Sequence, residues 1–319
     1  MAGFSQTSSE PRCRSGTKRP GKHASYSHIS CGPVRSEVSD PYGVHVPGWL
    51  DSTVIAATSR LPNNWLGLRI AIGLRRIVTM RMQDGGGMDV VRWGLRLRLH
   101  PLDNGCEKGA LFTPQMYEVL ERMQLRSEIE RAKKSNRPFV FVDAGANVGL
   151  YSFFVASCAG PNATIIAIEP EPENLRRMQF NRAANPGIPV SVLPWALGET
   201  EGQIALEINR IDRGGTRTRS PMSDGLPGGH IVDCCSLLHV LEHERVTYVD
   251  ALKMDVEGDE GAILHAFFGK AREPLWPKLM IIEDNSNSWR HDLFYDLTQR
   301  RYAIAARSKH NVVMRRCDE

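Results

Sequence analysis

Residues 139–154 read Phe139-Val140-Phe141-Val142-Asp143-Ala144-Gly145-Ala146-Asn147-Val148-Gly149-Leu150-Tyr151-Ser152-Phe153-Phe154. The four leading side chains are aromatic or β-branched, which suits a buried strand. Gly145 and Gly149 permit a tight turn and a close backbone approach, and the apolar run from Leu150 reads as a helix. Strand, glycine turn and helix in this order form the first crossover of a doubly wound sheet, where ligands bind beyond the carboxyl ends of the strands.

The alternation continues downstream. Thr164 to Ile168 and Val190 to Leu193 are expected strands around a helix from Glu173 to Arg182. Val249 to Met254 and Leu279 to Ile282 flank a helix from Glu260 to Phe268 in the same way. Repeated βαβ units imply an α/β chain with a parallel sheet covered on both faces. Tyr302 to Ala306 and Asn311 to Met314, separated by a short polar turn, predict an antiparallel hairpin that closes the sheet. The Gly- and Arg-rich stretch from Arg213 to Gly229 is expected to be a surface loop.

Upstream of the crossover the composition changes. Residues 1–48 are rich in Ser, Gly, Pro, Arg and His and lack periodicity, so they are expected to be a disordered tail. Residues 49–130 form a lead-in or cap, and residues 131–319 the ligand-binding domain. Within the lead-in, Leu66, Ile70, Ile72, Leu74 and Ile77 predict a helix packed on the core, with arginines on its other face. Asp89 to His100 alternates as one strand, and Thr113 to Ile129 predicts a helix with Pro114 in its first turn.

The 319 residues are 41% hydrophobic and 24% charged, an ordinary globular mix. A net charge of +4 permits nucleic acid without indicating it, and no nucleic-acid partner is expected. Seven scattered cysteines without a C-x-x-C pair argue against a disulfide framework or a cysteine zinc site. They suit a reducing, cytoplasmic compartment. No run approaches the roughly 20 apolar residues of a transmembrane segment. The best candidate, Leu66 to Val78, is broken by Arg69, Arg75 and Arg76. Nothing in the pattern specifies an oligomeric state.

Charge identifies the ligand class. The dinucleotide fingerprint is G-x-G-x-x-G, whereas this turn is D-x-G-x-N-x-G. Asp143 would repel a pyrophosphate and suits an ammonium group, such as the one on the amino-acid tail of S-adenosylmethionine. The ligand's carboxylate would use free N–H groups of the turn and helix start. Glu169 ends the second strand 20 residues after Gly149. A carboxylate there accepts hydrogen bonds from both hydroxyls of an adenosine ribose. Ala196, after the third strand, lies where an adenine ring would pack. Gly145, Asn147 and Gly149 complete the expected cofactor-binding set with Asp143.

A second constellation is Ala251-Leu252-Lys253-Met254-Asp255-Val256-Glu257-Gly258-Asp259-Glu260. Read as one extended strand, it places Lys253, Asp255 and Glu257 on one face at the donor rim. Neighbouring carboxylates push each other's proton affinities apart, so one becomes a better base while Lys253 holds the other ionised. Asp255 is the first candidate base because it lies nearer the strand end, Glu257 the second, and His291 a reserve. Oxygen ligands from Asp255, Glu257 and Glu283 would suit Mg²⁺, but no second signal supports a metal and none is expected.

Asp143 to Gly149, Glu169-Pro170, Ala196-Leu197-Gly198 with Gly202, and above all Lys253 to Glu260 resemble the FkbM-type methyltransferases over about Asn104 to Arg316. The resemblance implies a class I methyltransferase fold, Rossmann-like and mostly parallel. It also implies methyl transfer from S-adenosylmethionine, usually to a hydroxyl oxygen of a sugar, a glycan or a secondary metabolite. Val232 to Leu237 lacks the Thr-Leu-Asp that members often show. The alternatives are a non-catalytic member that binds donor or glycan, and a nicotinamide-dependent oxidoreductase. The latter shares the sheet and the ribose acid but not the Asp143 pattern. No Asp/Asn-Pro-Pro-aromatic string indicates methylation of nucleic-acid amino groups.

Overall fold

The structure is a computed structural model that describes residues 40–82, 86–209, 213–219, 230–289 and 291–317. Helices α1 (Trp49–Thr58) and α2 (Trp65–Thr79), strands β1 (Met88–Arg92) and β2 (Leu95–Leu99), and helices α3 (Gly105–Phe112) and α4 (Val119–Lys134) come first. Next are β3 (Phe139–Ala144), α5 (Leu150–Ala159), β4 (Ala163–Ile168), α6 (Pro172–Ala183) and β5 (Val190–Leu193). Four short strands follow, β6 (Ala196–Leu197), β7 (Gly202–Glu207), β8 (Arg217–Arg219) and β9 (His230–Cys235). The chain closes with α7 (Leu237–His243), β10 (Ala251–Met254), α8 (Glu260–Lys270), β11 (Leu279–Glu283), α9 (Leu293–Gln299), β12 (Tyr302–Arg307) and β13 (Asn311–Arg316).

The main sheet has the order β12-β13-β11-β10-β3-β4-β5. From β11 to β5 all neighbours are parallel, while β13 runs antiparallel between β11 and β12. The expected hairpin is therefore inserted, its second strand lying against the sheet. Strand β3 is buried along its whole length. Phe139 and Phe141 join one apolar cluster with the lead-in helices and α5, and Val142 and Ala144 join the other with α7, α8 and α9. Period-two alternation thus feeds both covered faces. Because the strand order reverses at β3, the ends of β3, β4, β10 and β11 converge on one crevice.

The lead-in departs from expectation at several points. Asp89 to His100 is a hairpin: Trp93 and Gly94, both with positive φ, form a two-residue turn and Arg92 pairs with Leu95. Alternation continues through such a turn, so the pattern hides it. The helix expected from Thr113 starts only at Val119, after Glu118 in left-handed backbone at φ 41°; Pro114 lies in the turn before it. Helix α2 forms, yet Leu66, Ile70 and Ile77 are exposed and only Gly67, Ala71 and Val78 are buried. Gly67 and Ala71 let the helix lie close to its neighbours, Leu74 and Val78 pack against the core, and Leu66, Ile70 and Ile77 face outward.

Residues 40–48 of the expected tail lie within the described residues. Gly43 and His45 donate their N–H groups to Asp89 Oδ2 at 2.7 and 3.0 Å, and the Tyr42 hydroxyl reaches Val90 O at 2.9 Å. One buried carboxylate pins residues that composition alone assigns to disorder; residues 1–39 lie outside the described residues. In the stretch from Arg213, residues 217–219 form β8 against β7, and residues 220–229 lie outside the described residues. This second sheet, of order β6-β9-β7-β8, was hidden by the shortness of its strands. The described cysteines Cys106, Cys158, Cys234, Cys235 and Cys317 are free. Among the described residues no helix is long and apolar enough to cross a membrane.

Candidate active site

A cavity of about 410 Å³ opens beyond the ends of β3, β4, β10 and β11. Its lining includes Gly145, Asn147, Glu169, Ala196, Asp255 and Glu257 of the expected residues. Asp143, Gly149 and Lys253 stand behind it.

One end is a largely apolar slot. Ile168, Trp195, Ala196 and Leu197 give it apolar walls, and Glu169 lies at the end of β4. Glu169 is buried and accepts from Asn147 N–H at 2.7 Å and Glu171 N–H at 2.9 Å. These bonds aim the carboxyl group and leave each oxygen a further lone pair. Burial, with Glu171 nearby, pushes its pKa up to about 8.

The glycine turn differs from its expected use. The N–H groups of Gly145 and Ala146 donate to Ile168 O, and that of Gly149 to Ala146 O. With Asn147 committed to Glu169, these four donors serve the turn itself and not a ligand carboxylate. Gly145 and Gly149 have φ of 73° and 80°, the left-handed region that favours glycine.

Asp143 is fully buried, and its Oδ2 accepts from Ser152 N–H at 3.0 Å and Ser152 Oγ at 2.6 Å. Through Oδ2 the carboxylate closes the first turn of α5 from beneath, while Oδ1 has no partner among the described residues. The reason is geometric. Asp143 is still within β3, so its side chain meets the helix that packs on the strand, whereas the ligand faces the loop after it.

At the other end stands an acidic rim. Strand β10 stops at Met254, and Glu257 has left-handed backbone at φ 62°. The period-two argument therefore fails beyond Met254, yet the loop still brings the groups together. Carboxyl oxygens of Asp255, Glu257 and Glu283 lie within 4.8 Å of one another. Lys253 donates from Nζ to Asp255 Oδ2 at 2.9 Å and to Gly145 O at 3.4 Å. Burial opposes its charge, but Asp255, Asp143 and Glu118 outweigh that and hold the ammonium protonated. Lys253 is thus a fixed cation. Glu283 behaves oppositely: burial, then the charges of Asp255 and Glu257, push its pKa up to about 8. Asn285 Nδ2 donates to its Oε2 at 2.6 Å.

Glu283, weighed from the sequence only as a metal ligand, ends β11 as Glu169 follows β4 and Asp255 follows β10. Several other lining residues escaped the sequence reading. Glu118 and Cys106 reach the cavity from the lead-in. Arg213, in the turn before β8, donates to Asp103 Oδ2 at 3.0 Å and Glu171 Oε1 at 2.8 Å. Asn104 caps α3 and donates to Asn147 Oδ1 at 2.7 Å. No local pattern announces such distant pairings. His291 lies outside this cavity's lining.

A parallel sheet of this order, with one antiparallel strand inserted beside its edge and a cavity at the reversal point, defines a class I methyltransferase. Residues 143–302 match the Methyltransferase FkbM domain, half of the sequence, and the chain belongs to that family. It is a methyltransferase whose donor is S-adenosylmethionine. No curated protein matches the chain.

Three solved structures illustrate more distant likeness. Precorrin-6y C5,15-methyltransferase from Geobacter metallireducens has 11% identity over 66% of this chain and 93% of its own, with a TM-score of 0.36. A methyltransferase from Geobacter sulfurreducens has 14% identity over 77% and 96%, TM-score 0.37. TrmK of M. capricolum, solved with the cofactor product S-adenosylhomocysteine, has 11% identity over 60% and 66%, TM-score 0.32.

Proposed function

We propose that this chain transfers the methyl group of S-adenosylmethionine to a hydroxyl oxygen of a sugar, a glycan or a secondary metabolite. The sulfonium supplies an already activated methyl group. The protein's part is to align an oxygen in line with it and to accept the hydroxyl proton. Glu169 holds the ribose hydroxyls, and Ile168, Ala196 and Leu197 take the adenine. Gly145, Asn147 and Gly149 shape the floor, with Asp143 beneath them. The acidic rim receives the acceptor: Lys253 holds Asp255 in an ion pair, Glu257 helps to orient the hydroxyl, and Glu283 takes its proton.

The observation that carries this reading is three carboxyl groups within 4.8 Å, one of them with a pKa of about 8, on the cavity that also holds Glu169. A hydroxyl acceptor needs both hydrogen-bond partners and a base at that place. The test is incubation of the chain with isotopically labelled donor and with glycan and small-molecule fractions, followed by mass spectrometry of the product. A labelled O-methyl group supports the reading; label recovered only on nitrogen or carbon overturns it.

The donor assignment has its own test. Two hydrogen bonds to the Glu169 carboxyl group contribute about 0.5–1.5 kcal/mol each, and about 1.5–3 kcal/mol each where it is ionised. Glu169→Ala is therefore expected to weaken S-adenosylmethionine binding about 10-fold or more in calorimetric titration, with the larger loss above about pH 8. Unchanged affinity would remove Glu169 from the ribose site.

A further inference from the structure

Helices α1 and α2 carry a surface that methyl transfer does not use. Along α2 the buried residues Gly67, Ala71 and Val78 define the inward side. Leu66, Ile70 and Ile77 fall in one row on another side and are all exposed. Trp49 at 82%, Trp65 at 72% and Met80 at 84% are still more open. Single exposed apolar residues are ordinary, but a row of them with two tryptophans marks a docking surface.

The charge of the same segment indicates what docks there. Residues 49–82 contain Arg60, Arg69, Arg75, Arg76 and Arg81 against one acid, Asp51. Five positive charges and one negative leave an excess of four, equal to the net +4 of the whole chain. Arg69 and Arg76 are exposed on the outward side of α2, between Trp65 and the Leu66–Ile70–Ile77 row. The Arg69 guanidinium lies 6.0 Å from the centre of the Trp65 ring. Apolar side chains interleaved with arginines along a 15-residue helix match a lipid interface. Acyl chains receive the former and anionic headgroups the latter, and tryptophan favours the boundary between them.

We propose that the exposed face of α1 and α2 seats the enzyme on the surface of an anionic lipid leaflet, lying on the membrane and not spanning it. Trp49, Trp65, Leu66, Ile70, Ile77 and Met80 enter the headgroup boundary, and Arg69 and Arg76 meet the phosphates. The helix pair is tied to the catalytic part through Gln115, whose Nε2 donates to Thr58 O at 2.9 Å and Leu61 O at 3.0 Å. Gln115 is three residues from Glu118, which lines the cavity. Seating on lipid would therefore anchor the rim of the acceptor site as well.

The test is co-sedimentation of the full chain with vesicles of phosphatidylcholine alone or mixed with phosphatidylglycerol. Partitioning is expected to be at least about tenfold stronger on the mixed vesicles and to fall as salt is raised. Arg69→Glu with Arg76→Glu should weaken it about tenfold or more, as should Leu66→Ser, Ile70→Ser and Ile77→Ser together. Circular dichroism and S-adenosylmethionine affinity should be unchanged in both variants, because these side chains are exposed and outside the cavity. Absence of binding to the mixed vesicles at low salt overturns the proposal. So does equal binding by wild type and variants, which would place the contact elsewhere. A dimer in sedimentation velocity that the triple serine variant dissolves, without vesicle binding, overturns it in favour of a second copy on this face.

Discussion

Replacing Glu283 with Gln is expected to lower turnover by about 10²- to 10⁴-fold, the range a positioned general base contributes, with donor affinity unchanged. Three rim carboxylates compete for one cation. Lys253 lies 2.9 Å from Asp255, so Asp255 has the ammonium and Glu283 does not. A carboxylate paired with a cation is a poor base, because the partner stabilises the form that has lost its proton. Glu283 is half-buried and faces the charges of Asp255 and Glu257, and its pKa of about 8 lies near a working pH. That is where a general base is most effective. We therefore propose Glu283 as the base, ahead of Asp255, the first candidate from the sequence.

The pH dependence follows with a definite sign. Glu283 accepts a proton only when ionised, so turnover should rise with pH through about 8 and level off above it. In Glu283→Gln that inflection should vanish from the residual rate. Stability runs the other way. A carboxyl group whose folded pKa is raised contributes most below the ordinary carboxylate range, and that contribution is lost as pH rises through about 8. The Gln variant should thus be at least as stable as wild type at alkaline pH, which separates lost chemistry from lost fold. Wild-type turnover with the inflection intact would exclude Glu283 as the base.

The sheet was legible because its strands are buried on both faces. Phe139 to Val142 and Leu279 to Ile282 are continuous apolar runs, and each ends at a turn residue or a carboxylate. Glu169 was legible for the same reason, since an acid at the end of an apolar strand has few places to point except the crevice. The depth of Asp143 was not legible, because sequence gives position along a strand but not burial. One residue separates a side chain at the mouth from one beneath α5. The lead-in was less legible because its order depends on long-range polar ties. Asp89 pins Gly43 and His45, and Arg177 gathers Asp103, Glu107 and Glu173. Each tie joins groups whose proximity exists only after folding. In α2 the helix itself was legible but its buried side only in part: Leu74 packs on the core, while Gly67 and Ala71 carry packing that hydrophobicity does not reveal.

Gly145→Ala is expected to destabilise the fold by about 2–5 kcal/mol and to abolish donor binding. Two costs combine. At φ 73° a Cβ crowds the backbone, about 1–2 kcal/mol for a left-handed residue. The added methyl would also stand 1.7 Å from Asp255 O and 2.7 Å from its carbonyl carbon. These are backbone atoms, so no side-chain rotation relieves the contact, and β3 or the Asp255 loop must move. Asp255 N–H is bonded to Ala144 O at 3.0 Å, so the displacement breaks the junction of β3 and β10 and carries the acidic rim with it. Gly94→Ala is the control: its φ is 81°, in the two-residue turn between β1 and β2, and nothing lies within 4 Å of its Cβ position. It should show the backbone cost without a clash, so the excess loss of denaturation free energy in Gly145→Ala reports the contact with Asp255. A Gly145→Ala protein no less stable than Gly94→Ala, and still binding S-adenosylmethionine, would show that the glycine turn and the Asp255 loop do not meet in this way.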